Sequence, residues 1–188
     1  MGTSLEIEIG LLLRKSGLKI ASAESCTGGL IAHRITNVPG SSDYFLGGVV
    51  AYANQVKVGL LNASPQTLME HGAVSRETVL EIARGVRWLL NADLAVSASG
   101  VAGPGGGTPE KPVGTVWIGL AAADGEWARL FRFPGDREQN KALSAEAALE
   151  LVYDYLRGER VLDRDLAETS TQTQKTVVNE LIRRIQSL

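Results

Sequence analysis

The chain has 188 residues, 44% apolar and 21% charged, a balance that excludes a disordered polymer and suits one core with at most an appendage. Nineteen Lys and Arg against 21 Asp and Glu leave a formal net charge of -2, with no long run of like charge. Nucleic acid is therefore not an expected partner.

The first element is a helix over residues 5–15, where Leu5, Ile9, Leu12 and Leu13 recur at helical spacing after Ser4 and before Gly17. Residues 18–23 read as a strand. Glu24-Ser25-Cys26-Thr27-Gly28-Gly29 is a tight turn into a helix over 30–35, which Pro39-Gly40-Ser41-Ser42 breaks. Residues 45–53, with Val49, Val50 and Tyr52, have the content of a buried strand, and Asn54 starts the next helix. Ser64 before Pro65 opens a short helix that Gly72 stops. Ser75 opens a longer one, with Val79, Ile82, Ala83, Val86 and Leu90 on one face.

Residues 93–99 form the next strand, and the Gly- and Pro-rich segment 100–112 is a loop. Residues 113–123 and 126–133 form a hairpin joined at Asp124-Gly125. Asp136 begins a long helix with Leu143, Ala147, Leu151 and Tyr155 on one face, closed by Gly158. Residues 162–174 read as a polar linker. Val177, Val178, Leu181, Ile182, Ile185 and Leu188 then form an amphipathic helix, expected to dock on a neighbouring subunit rather than on its own domain. The fold predicted is α/β: a three-layer α/β/α domain over 1–158 with a mixed, mostly parallel sheet, plus a linker and C-terminal helical extension over 159–188.

No apolar stretch approaches the roughly 18 residues of a membrane span, and the first residues lack the regions of a secretory signal. A cytoplasmic protein without a membrane partner is expected. Cys26 stands alone, and with only His33 and His71 the chain lacks zinc-site spacing, so no metal is expected.

The turn at 24–29 places a hydroxyl and a thiol at a strand end beside a helix N-terminus, whose amides can receive an oxyanion or phosphate. The same residues fit a simple helix cap, and Cys26 fits a small buried hydrophobe. Lys57, early in a helix, suits a solvated cation. It also suits a general base if desolvation and the helix dipole lower its pKa. The loop matches no nucleotide-binding glycine signature and reads equally as a surface turn or a cover over substrate. Arg137 suits either a salt bridge within its helix or an anionic ligand.

Taken together, Ala23-Glu-Ser-Cys-Thr-Gly-Gly, Pro39-Gly-Ser-Ser, Tyr52-Ala-Asn-Gln-Val-Lys, His71-Gly-Ala-Val-Ser, Ser99-Gly-Val-Ala-Gly-Pro-Gly-Gly, Lys111-Pro-Val-Gly-Thr-Val and Gly135-Asp-Arg resemble the CinA C-terminal domain family, the nicotinamide-mononucleotide deamidases. The resemblance covers about residues 5–158. It implies hydrolysis of the carboxamide of nicotinamide mononucleotide, giving nicotinic acid mononucleotide and ammonia, in pyridine-nucleotide recycling. It further implies a homodimer or higher homo-oligomer, and it calls for no cofactor. It puts the family's serine on Ser25 and its lysine on Lys57. Where the family often has Glu-Ala before that lysine, this chain has Gln55-Val56.

On this reading Ser25 is the nucleophile and Lys57 the base. Backbone amides at Thr27 and Gly28 receive the oxyanion, and Tyr52 and Asn54 orient the site. Arg137 and the loop backbone at Gly100 and Gly103 hold the nucleotide. A mechanistic rival uses Cys26 as nucleophile with Glu24 and Lys57 as helpers. A rival of another class is a non-catalytic nucleotide-binding module in competence or DNA-damage responses.

Overall fold

The computed structural model describes residues 4–158, 164–165 and 171–186. Its strands are β1 (Ile20–Glu24), β2 (Phe45–Val50), β3 (Leu94–Gly100), β4 (Thr115–Ala121), β5 (Glu126–Arg132) and the two-residue β6 (Arg164–Asp165), in the order β2-β1-β3-β4-β5-β6. β1 pairs in parallel with β2 and β3, β4 runs antiparallel to β3 and β5, and β6 is parallel to β5. The sheet is mixed and mostly parallel, as expected.

Helices α1 (Leu5–Ser16), α2 (Leu30–Thr36) and α6 (Arg137–Leu156) cover one face of the sheet. On the other face lie α3 (Asn54–Gly59), α4 (Pro65–Glu70) and α5 (Arg76–Leu89). Side chains alternate along the strands, so Ile20, Val96 and Ile118 join the α1 and α6 side. Ala21, Ala23 and Ala95 meet Ile82 and Val86 of α5. Such small residues let the helix approach closely; a Cβ on Gly85 of α5 would overlap the carbonyl of Leu61.

Local signals set the helix ends. Ser64 and Ser75 accept hydrogen bonds from the amides of Thr67 and Thr78. Asp136 and Gln139 form a reciprocal capping box at 2.9 and 3.0 Å, which starts α6. Buried charge ties three helices together: Arg34 of α2 meets Glu6 of α1 at 2.5 Å and Glu146 of α6 at 2.6 Å.

The expected buried strand over 45–53 differs in the structure. β2 stops at Val50 and lies at the sheet edge, so its residues are at best half-buried, with Val50 49% and Tyr52 60% exposed. Its β-branched content reflects one paired flank, not a central position.

The C-terminal segment also departs from expectation. β6 and the start of helix α7 (Thr171–Gln186) fall inside the expected linker, whose residues 166–170 lie outside the described residues, as do 162–163. Nothing in Thr171-Gln-Thr-Gln breaks a helix, and those polar turns carry no apolar period to reveal it. α7, expected to dock on a neighbouring subunit, packs on α6 of its own chain, burying Val178 and Leu181. A cleft of about 440 Å³ remains between them, lined by Leu143, Ile182 and Ile185 among others.

Candidate functional site

The carboxyl ends of parallel strands leave a crevice where loops can present chemistry. Here Ser25 follows β1, Tyr52 follows β2, and Gly100 ends β3. All three line a pocket of about 260 Å³ with Cys26, Gly103 and Arg137.

Glu24, the last residue of β1, governs the turn. Its buried carboxylate accepts from the amides of Gly29 (2.9 Å), Ile31 (3.1 Å) and Ala32 (2.8 Å). The amides at the α2 N-terminus, expected to be free for an oxyanion or phosphate, are thus filled by the protein's own carboxylate. That fixes the path of the chain from strand to helix. Ser25 donates its amide to Ala98 O (2.9 Å), and Gly28 donates to Ser25 O (3.2 Å). Gly28 and Gly29 hold φ of 64° and 100°, a region that favours glycine, so the two glycines are required by the turn.

Lys57 is only 1% exposed. Its Nζ donates to Ala51 O (2.8 Å), Tyr52 O (3.3 Å) and Ser25 Oγ (3.2 Å). Burial lowers its pKa below the usual lysine range, against a smaller opposing influence of Cys26. The dipole expected to assist has no comparable part, because α3 is six residues long and Lys57 is its fourth. As a neutral amine, Lys57 would keep two N–H groups for the carbonyls and turn its lone pair to the Ser25 hydroxyl.

The turn brings both Ser25 and Cys26 to the pocket, although neighbours on a strand would face apart. Their chemistry is unequal. Cys26 is 6% exposed, and burial pushes its thiol up to about 12, so the thiolate is scarce at neutral pH.

Arg137, the first residue of α6, closes the opposite side of the pocket. Its Nη1 donates to Gly103 O (2.7 Å) and its Nη2 to Tyr52 Oη (2.9 Å), bridging the glycine-rich loop and the end of β2. Gly103 has φ of 93°, and a Cβ there would lie 2.6 Å from Val113 Cγ1. Behind it, fully buried Asn140 donates to Ala102 O (3.0 Å) and Gly135 O (2.8 Å) and accepts from the Gly135 amide (3.0 Å). Asn140 and the clamping role of Glu24 escaped the sequence reading. An acid just before a helix was a usable signal for Glu24, whereas an Asn in a first helical turn reads as solvated.

The other expected site residues are placed differently. Thr27 is buried with its Oγ1 lacking a partner, and it does not line the pocket. Asn54 is exposed at the first position of α3, outside the lining. No three His, Cys, Asp or Glu side chains cluster as a metal site among the described residues, and no described helix is long and apolar enough to cross a membrane.

The CinA C-terminal domain model matches residues 2–156. A CinA-like protein of Salinibacter ruber is 54% identical over 147 residues, which is 78% of this chain and 36% of that protein. A CinA-like protein of Desulfosudis oleivorans is 55% identical over 152 residues, 80% of this chain and 37% of its own length. The chain therefore spans just over a third of these curated relatives. Among solved structures, the competence/damage inducible protein CihA from Agrobacterium tumefaciens has a TM-score of 0.79 at 36% identity, covering 84% of this chain and 99% of that one. A CinA superfamily protein from Klebsiella pneumoniae has a TM-score of 0.79 at 32% identity, with coverages of 82% and 96%.

Proposed function

The chain belongs to the CinA C-terminal domain family, and from that membership and the Ser25–Lys57 pair we propose that it hydrolyses the carboxamide of nicotinamide mononucleotide to nicotinic acid mononucleotide and ammonia. The observation that carries the mechanism is a buried lysine 3.2 Å from a serine hydroxyl at the mouth of a pocket. Neutral Lys57 takes the Ser25 proton as Oγ attacks the carboxamide carbon. The resulting ammonium returns that proton to the departing nitrogen, which leaves as ammonia. Water then attacks the acyl ester, giving its proton to Lys57, and the acid is released as Ser25 is reprotonated.

Gly28 turns its amide onto Ser25 O and Glu24 takes three amides of α2, so the proposed oxyanion donor is a backbone N–H among the pocket-lining residues and not one of these. Loss of such a donor typically costs about 10²- to 10³-fold in rate. The homodimer is part of the same proposal, supported by an edge strand that leaves Leu46 and Val50 exposed. Cytoplasmic residence follows from the substrate.

Ammonia release from nicotinamide mononucleotide tests the reading. Ser25→Ala should abolish product while retaining the wild-type melting temperature, and Cys26→Ala should keep most of the turnover. The reverse pattern would move the nucleophile to Cys26. Tight mononucleotide binding by the wild type without ammonia would identify a non-catalytic module.

A further inference from the structure

Two blocks of the sequence, His71-Gly-Ala-Val-Ser and Lys111-Pro-Val-Gly-Thr-Val, take no part in the proposed reaction, and the fold puts them in contact. The first turns the corner between α4 and α5. Three successive carbonyls of that corner each accept from side chains: His71 O from Lys111 Nζ (2.7 Å), Gly72 O from Thr78 Oγ1 (2.8 Å) and Ser75 Oγ (3.0 Å), and Ala73 O from Ser99 Oγ (2.7 Å). Gly72 holds φ of 76°, which favours glycine, and a Cβ there would lie 3.5 Å from Lys111 Nζ, so the ammonium sits directly against the corner.

The two outer donors bracket the glycine-rich loop. Ser99 stands one residue before Gly100, and Lys111 stands near the far end of a segment whose Gly103, Gly105 and Gly106 line the Ser25 pocket. Both ends of the loop are thus tied to one corner, at Ala73 and His71. Backbone bonds close its base, Val101 N to Thr115 O (2.9 Å) and Gly114 N to Val101 O (2.7 Å). Thr108 and Lys111 form a reciprocal turn: the Thr108 amide donates to Lys111 O (3.0 Å), and Thr108 Oγ1 accepts from the Lys111 amide (3.1 Å). Arg137 holds the near limb at Gly103, whereas residues 104–110 are exposed and lead to Lys111. A run of Gly105-Gly106-Gly107 has little conformational preference of its own, so its path depends on where its ends are held.

We propose that Lys111, through the His71 carbonyl, is a positioning residue that holds the glycine-rich loop in place over the Ser25 pocket and so acts on ligand binding and not on the proton transfer. The proposal rests on the deamidase reading above for what that pocket turns over. A lysine suits the task, since its flexible stem reaches from the loop to the corner and its charge strengthens the bond to a carbonyl.

Lys111→Met keeps the stem and removes the ammonium. Hydrogen exchange followed by NMR on the full chain reads the loop without turnover. The amides of Thr108 and Gly114 should exchange about three- to tenfold faster than in wild type, while amides in the β1–β3 pairing keep their rates. In ammonia release from nicotinamide mononucleotide, KM should rise by a similar factor with kcat within about twofold of wild type. Lys111→Arg should return both readouts toward wild type. Unchanged exchange at Thr108 and Gly114 would overturn the proposal, as would faster exchange with an unchanged KM, or a loss confined to kcat. A wild type that releases no ammonia would remove the deamidase reading, and the exchange rates with calorimetric affinity for the mononucleotide would then decide the role of Lys111.

Discussion

Lys57 Nζ lies 3.2 Å from Ser25 Oγ, with the carbonyls of Ala51 and Tyr52 at 2.8 and 3.3 Å on its other sides. Two acceptors and one hydroxyl account for the three bonding directions of the nitrogen besides its own Cε. The serine is therefore the partner that changes role when the lysine loses its proton. An exposed lysine would stay charged at neutral pH, whereas burial shifts Lys57 toward the neutral form.

In the proposed mechanism the neutral amine is the active form, so kcat/KM should rise with pH through an apparent pKa below the usual lysine value. Lys57→Met, which keeps the volume and removes the amine, should lose about 10²- to 10⁴-fold in rate. Its profile should also lose that rising limb. A pH–rate series on both proteins, with melting temperatures as a check on folding, decides the matter. Persistence of the limb in Lys57→Met would assign the titration to another group.

Asn140 joins the start of α6 to both Ala102 and Gly135, and thereby supports the loop that Arg137 holds at Gly103. Asn140→Ala would leave those buried backbone groups unpaired, at a cost of about 1–3 kcal/mol. Denaturant unfolding should register that loss. In kinetics, KM for the mononucleotide should rise more than kcat falls, because the proposed function gives the loop a part in binding ligand and none in the proton transfer. Equal stability to wild type would show that the loop is anchored elsewhere.

The Glu6–Arg34–Glu146 cluster gives a signed prediction for acid stability. Burial alone would raise the Glu6 carboxyl, but hydrogen bonds to Arg34 and the backbone, with the Arg34 charge, bring it below the usual value. A carboxyl depressed in the folded state stabilises the protein above its unfolded pKa, and that stability disappears as pH falls through the folded value. The melting temperature should therefore fall as pH drops below about 4.5, and less steeply in Glu6→Gln. Arg34→Met should lose about 3–5 kcal/mol near neutral pH, since two buried carboxylates lose their cation. Acidification should narrow its gap to wild type as the Glu6 carboxyl protonates. A constant gap across pH would remove the cluster from the account.

Much of the architecture was legible in short stretches of sequence because its causes are local. Ser64, Ser75 and Asp136 cap the helices they precede, Asp124-Gly125 joins β4 to β5, and periodic apolar residues set the buried face of α5. The turn at 24–29 and the lysine at 57 were legible as blocks, and the fold brings them within hydrogen-bond distance. Whether Lys57 was solvated or buried was open in the sequence, since position in a short helix does not specify what packs over it.

Only tertiary structure decided the rest. Strand order placed β2 at an edge and left Val50 and Tyr52 exposed, although their residue types suit a buried strand. Chain reversal set Lys141 beside Gly28, Arg137 against Tyr52, and Asn140 under Ala102, contacts between segments far apart in sequence that no local period encodes. The C-terminal stripe of Val178 and Leu181 declared only that it needed cover. Which surface covers it, here α6, depends on the apolar area that the assembled domain leaves unfilled.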